Sequence, residues 1–203
     1  KRGSEAMDEI GILPNYHGFL CHDFWSAYSA YDVIHIFCHA HLQREFTKCE
    51  EKFGTKWSTK MKQLLLDANS LKNEADGYLT WDQISKIETN YEEILVEAEI
   101  ECPLNETREN KKGKIGQEYP RQLLNRLIAK ISSVLLFLYD PVIPFTNNQA
   151  ERDIRMTKVQ QKVSGCFRTF EGARRFCRIR SFILSMQKQG KNVHKELEKI
   201  MRE

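Results

Sequence analysis

The chain has 203 residues, 31 of them Lys or Arg and 28 Asp or Glu, for a formal net charge of +3. At 41% hydrophobic and 29% charged it has the composition of a globular protein with apolar material enough for a core, which excludes global disorder. Its longest apolar-rich run, residues 131–139, falls far short of the ~20 residues a spanning helix needs, so no membrane association is expected. The chain opens without an apolar signal-peptide core and does not begin with Met, so a fragment of a longer protein is expected. Six irregularly spaced cysteines (Cys21, Cys38, Cys49, Cys102, Cys166 and Cys177) read as reduced cytosolic thiols, not as a disulfide framework.

The small net charge hides an asymmetry. Residues 74–109 hold eleven acidic and two basic side chains, a local net of −9; residues 121–190 hold thirteen basic and four acidic, a local net of +9. Two surfaces with different tasks are implied, and a basic stretch is the electrostatic footprint of a nucleic-acid binder. Solvated helix faces explain any one charge run equally well.

In chain order, residues 6–13 read as the end of a helix stopped at Pro14. Residues 18–23 are short, apolar and strand-like, residues 24–31 form a short helix, and the β-branched and aromatic run 33–38 is a second strand. From His39 the pattern turns helical, with Leu42, Phe46 and Cys49 on one face. Helical faces continue through Trp57, Met61, Leu64 and Leu65, then through Trp81, Ile84, Ile87, Tyr91, Ile94, Leu95 and Ala98. Residues 105–116, polar and Gly-containing, form the best loop or hinge. A long amphipathic helix runs from Leu123 to Leu138 and ends at Asp140-Pro141. After the constrained connection 141–146, a helix opens at Thr146 or Asn147, is interrupted at 164–168, and gives way to a last one through Phe176, Ile179, Phe182, Ile183 and Met186. Two strands alone make no stable sheet, so further strands are expected upstream or unrecognised.

Two acids stand out. Asp23 ends the first strand, where a side chain can meet a ligand at the sheet edge, although an N-cap for the following helix is an equally good role. Glu151 lies in the first turn of a helix, where a capping carboxylate is the ordinary reading. Glu151, Arg155, Lys158 and Lys162 share one helix face, a carboxylate continued by a basic row. Such a row suits a metal ion beside a phosphate backbone, or a simple i,i+4 ion pair.

Three stretches carry a family resemblance: His22-Asp23-Phe-Trp-Ser-Ala-Tyr; Cys38-His-Ala-His41-Leu-Gln-Arg44-Glu-Phe46; and Asn147-Asn148-Gln-Ala-Glu151-Arg152-Asp-Ile-Arg155, followed by residues 162–168 and Gly172-Ala173. Over about residues 17–190 the chain resembles the catalytic region of IS66-family transposases, which carry an Asp-Asp-Glu triad on an RNase H-like fold. The resemblance implies an α/β, helix-dominated fold: a partial RNase H-like core from residues 1–45 and 141–190, a helical insertion at 46–140 filling the 128-position gap between the acids, and a C-terminal helix at 191–203. It implies a bacterial, cytoplasmic and nucleoid-associated protein that cleaves transposon ends and joins them to target DNA, as a homo-oligomer on that DNA.

Asp23 would be the second triad acid and Glu151 the third, both ligands to two Mg²⁺ ions or to Mn²⁺ as substitute. The first Asp has no counterpart: Asp8 is too close to Asp23 and lies on no strand-like segment, so this chain alone is expected to be inactive. Arg44, Arg152, Arg155, Lys158, Lys162 and Arg168 are candidates for phosphate contacts; Asn147, Asn148 and His41 are candidates to orient the site. Three rivals remain: a zinc site from Cys21, His22, Cys38, His39 and His41, a non-catalytic DNA-binding derivative of a transposase, and a protein-interaction module using the acidic helix 81–101.

Overall fold

The computed structural model describes residues 3–104 and 117–202; the predicted loop at 105–116 lies outside the described residues. Residues 1–147 form one compact unit and residues 148–203 a second.

The first unit begins with α1 (Ser4–Ile10), which stops at Gly11 rather than running on to Pro14; Pro14 sits in a separate 3-10 turn. Strand β1 (Phe19–His22) follows, then a 3-10 segment at Ser26–Ala30 where a short helix was expected, then β2 (Ile34–Phe37). The strands pair in parallel, Phe19 opposite Ile34 and His22 opposite Phe37, and among the described residues they are the only sheet. Parallel pairing brings both C-terminal ends to one edge.

Helices α2 (His39–Phe53), α3 (Lys56–Glu74), α4 (Trp81–Glu101), α5 (Tyr119–Ala129) and α6 (Ile131–Leu135) complete this unit, and between residues 46 and 140 the described residues hold no strand. The ends are set locally. Gly54 adopts the left-handed conformation (φ 67°) that ends α2, which a side chain would disfavour. A capping box opens α4: Thr80 Oγ1 accepts from Gln83 N at 3.3 Å, and Thr80 N donates to Gln83 Oε1 at 2.8 Å. The Glu101 carboxylate at the end of α4 accepts from Lys56 N and Trp57 N at the start of α3, at 2.8 and 3.1 Å, joining two antiparallel helices where a dipole favours an anion. The long helix expected over 123–138 is divided. Lys130 (φ −130°, ψ 25°) breaks it between α5 and α6, and residues 136–138 tighten to a 3-10 turn.

One apolar core runs through this unit. Ile36 and Phe37 of the sheet, Leu42 and Phe46 of α2, Trp57, Met61 and Leu65 of α3, Tyr91 and Ala98 of α4, and Leu123, Leu124 and Leu127 of α5 belong to one cluster. The helices therefore supply what a two-stranded pair lacks, an apolar layer to bury its inner face.

The second unit holds α7 (Asn148–Ser164), α8 (Phe170–Lys188) and α9 (Val193–Arg202), and none of the three buries a residue. Thr169 caps α8, its Oγ1 accepting from Gly172 N at 3.0 Å. Lys188 of α8 pairs with Asp153 of α7. Six acidic against fourteen basic residues give 148–203 a formal charge of +8, leaving −5 for residues 1–147.

Candidate functional site

Asp23 follows β1 at the edge where both parallel strands end. Its Oδ1 accepts from Trp25 N at 3.2 Å, starting the turn into the 3-10 segment, so the local capping role is real but occupies one oxygen. The half-buried carboxylate keeps Oδ2 for other use; among the described residues nothing donates to it. The backbone around Asp23 is held from behind. His22 Nδ1 donates to the Asp23 carbonyl, which fixes its proton on Nδ1, so His22 Nε2 accepts from His35 Nδ1 at 2.9 Å. Burial pushes the His22 pKa below the ordinary value, partly opposed by that hydrogen bond, and the ring stays neutral.

The next motif starts at the neighbouring strand end. Cys38 N donates to His22 O at 2.9 Å. The buried Cys38 Sγ accepts from Asn147 N at 3.1 Å. His39, fully buried, donates its backbone N–H to Phe145 O at 3.0 Å, and Nδ1 donates to the same oxygen at 3.1 Å. Its ring stacks on Phe145 with centroids 4.1 Å apart, and burial lowers its pKa to about 4. From the other side, the buried Lys72 of α3 donates Nζ to Asp140 O at 2.9 Å and Ile143 O at 3.0 Å. Gly77 (φ 92°) lies against the same connection: a Cβ there would stand 2.8 Å from Pro141 Cβ. Residues 140–147 are thus strapped down by α2 and α3. Asn147 is brought to the strand edge that carries Asp23, and α7 with Glu151 in its first turn begins at the next residue.

Glu151, Arg152, Arg155, Lys158 and Lys162 are all exposed on α7, and Arg168 is exposed in the turn before α8. Asn148 opens α7 and is exposed. His41 is half-buried in the first turn of α2, and Arg44 is exposed one turn on. Asp8, set aside as a triad member, lies on α1 and accepts from Tyr31 OH at 2.7 Å. The zinc alternative finds its donors engaged elsewhere: Cys38 on Asn147, His39 on Phe145, His22 on Asp23 and His35. Among the described residues no three His, Cys, Asp or Glu side chains are grouped to hold a metal ion, and all six cysteines are free thiols.

A profile of the transposase IS66 family matches residues 1–175, which include all three motif stretches. The chain belongs to the IS66 transposase family. No curated protein and no solved structure matches it. The family assignment makes this a transposase-derived chain and implies interaction with DNA. Among the described residues no helix is long and apolar enough to cross a membrane.

Sequence reasoning missed the strap. Lys72 reads as one more charge on an amphipathic helix, and Cys38 and His39 as metal ligands, because their partners lie 68 to 109 positions downstream. It also missed Lys48, Lys52 and Lys62, which line a groove with Arg44. Here a signal existed, since Arg44, Lys48 and Lys52 recur at four-residue spacing.

Proposed function

We propose that Asp23 and Glu151 are two of the three carboxylates of a metal-dependent DNA cleavage and strand-transfer site on a partial RNase H-like core. The observation that carries this reading is the strap. It ties Asn147, the last residue before α7, to Cys38 at the sheet edge where Asp23 stands, and α7 carries Glu151 in its first turn.

The donor set fits Mg²⁺ or Mn²⁺. Carboxylate oxygens suit a hard cation that retains several waters, and among the described residues nothing donates to Asp23 Oδ2. Two bound ions would activate the attacking water or 3′-hydroxyl and offset charge on the scissile phosphate. The chain's own residues do the rest. His22 holds the Asp23 backbone through a neutral ring, Asp23 and Glu151 present oxygen ligands, and Arg152, Arg155, Lys158, Lys162 and Arg168 hold the phosphate backbone in place without reading bases. Asn147, Asn148 and His41 orient these groups. The first Asp of the triad has no match in this chain, so the 203 residues alone bind DNA without cutting it. On DNA, copies of the protein associate.

The test is Mg²⁺-dependent cleavage of a labelled transposon end by the full-length protein carrying Asp23→Asn or Glu151→Gln. Each variant should lose at least about 100-fold in rate with DNA affinity nearly unchanged. Wild-type rates in both would return the two acids to their local capping roles.

A further inference from the structure

The first unit carries net negative charge, yet one groove on it is lined by four cations and a single acid. Between α2 and α3 a cavity of about 310 Å³ is bounded by Gln43, Arg44, Thr47, Lys48, Glu51, Lys52 and Lys62. Elsewhere in this unit long cations are spent on carboxylates: Lys60 on Glu97, Arg121 on Glu99, Arg126 on Glu45. In the groove, among the described residues, none of the four forms an ion pair.

Two are held by contacts that leave their charge intact. Lys62 Nζ donates to the Thr47 hydroxyl at 2.9 Å, and Lys48 Nζ lies 3.4 Å from the centroid of the Tyr119 ring. Both side chains are therefore ordered in advance without being neutralised, which lowers the entropy cost of binding an anion. Arg44, Lys48 and Lys52 recur along α2 at intervals of ~6 Å, a spacing that follows from four residues at 1.5 Å each. This matches the order of the separation between successive phosphates on one strand. Gln43 lines the same groove, and among the described residues its buried amide nitrogen and oxygen have no hydrogen-bond partner.

We propose that the α2–α3 groove is a second nucleic-acid backbone site, in which Arg44, Lys48, Lys52 and Lys62 bind consecutive phosphates of one strand. It rests on the reading of this chain as a DNA-binding protein, but not on the roles of Asp23 and Glu151. It lies on the helical segment between the two acids, and gives that segment a task in holding DNA. Binding is independent of sequence, because the groove offers charge and hydroxyls to phosphates and nothing shaped for base edges.

The experiment is fluorescence anisotropy of a short labelled duplex of random sequence with this 203-residue chain, across a salt series. The variants are Arg44→Gln/Lys52→Gln, whose side chains are exposed, and Lys48→Gln/Lys62→Gln, with circular dichroism confirming the fold. Each groove pair should flatten the log–log salt slope by about two units and weaken binding roughly 30-fold at 0.15 M salt, since each lost phosphate contact forfeits one counterion release. Lys158→Gln/Lys162→Gln on α7 should weaken binding independently, so the effects combine. If the α7 pair weakens binding while both groove pairs behave as wild type, the groove proposal is overturned and the DNA reading stands. If none of the three pairs changes binding, the DNA reading fails with it. Inorganic phosphate serves as a competitor. Displacement of DNA by low-millimolar phosphate at constant ionic strength would show a free-phosphate site and overturn the assignment to a nucleic-acid strand; no displacement supports it.

Discussion

His39 makes the strap acid-sensitive, by an amount that can be worked out. The ring is fully buried between Phe137 and Phe145, and burial lowers its pKa from 6.5 to about 4. In the unfolded chain the ring protonates near 6.5, while the folded protein resists protonation down to about 4. The unfolded state is therefore the better proton binder in that window, and stability, full above pH 6.5, falls as pH drops towards 4. Between pH 7.5 and 5 the loss is about 2 kcal/mol, and the whole shift is worth about 3 kcal/mol. His22 shifts in the same direction, so the wild-type curve alone does not isolate His39. The comparison with His39→Gln does: Gln retains a polar side chain and the backbone donor to Phe145, but does not titrate. Urea unfolding of both proteins at pH 7.5 and pH 5 should show the stability gap between them shrinking by about 2 kcal/mol at the lower pH. Parallel pH dependences would mean that His39 is solvated or charged in the folded protein, and the dry packing of the strap would be wrong.

Lys72→Met keeps the aliphatic stem and removes the ammonium, leaving the Asp140 and Ile143 carbonyls without their buried donor. It should cost about 1–3 kcal/mol in urea unfolding and speed amide exchange at Ile143 and Phe145. Glu45 of α2 accepts from Tyr119 OH at 3.0 Å and pairs with Arg126 of α5. Glu45→Gln should cost about 1 kcal/mol, with a smaller penalty in 1 M salt, because the lost ion pair is partly exposed and screened. Leu65→Ala, at a site with no exposed surface, should cost about 2–5 kcal/mol without altering DNA binding, since Leu65 lies in the core and touches neither basic surface.

The two strands were readable because Val33, Ile34, Ile36 and Phe37 combine β-branching with a bulky aromatic, and the observed strands fall within the predicted bounds. The start of α2 was readable from its apolar stripe, as Leu42, Phe46 and Cys49 are all buried. The break at Lys130 was not. Val134, Leu135 and Leu138 face the same core as Leu123, Leu124 and Leu127, and periodicity reports the buried face rather than the backbone path between two short helices. At the candidate site, the places of Asp23 just after a strand and of Glu151 in the first turn of a helix were legible from the sequence pattern. The strap was not, because hydrogen bonds such as Lys72 to Asp140 and Asn147 to Cys38 join distant positions through single polar groups and leave no local pattern.

The central claim is that Asp23 and Glu151 ligate metal ions, and a ligand swap tests it most directly. Replacing Glu151 by Cys in the full-length protein exchanges a hard oxygen donor for a soft sulfur, which Mg²⁺ disfavours and Mn²⁺ tolerates better. Cleavage of a labelled transposon end by Glu151→Cys should be lost in Mg²⁺ and recover at least about 10-fold in Mn²⁺, relative to wild type in each metal. Asp23→Cys should behave in the same way. Activity in Mg²⁺ equal to wild type, or a loss that Mn²⁺ does nothing to relieve in either variant, would contradict direct ligation by these carboxylates.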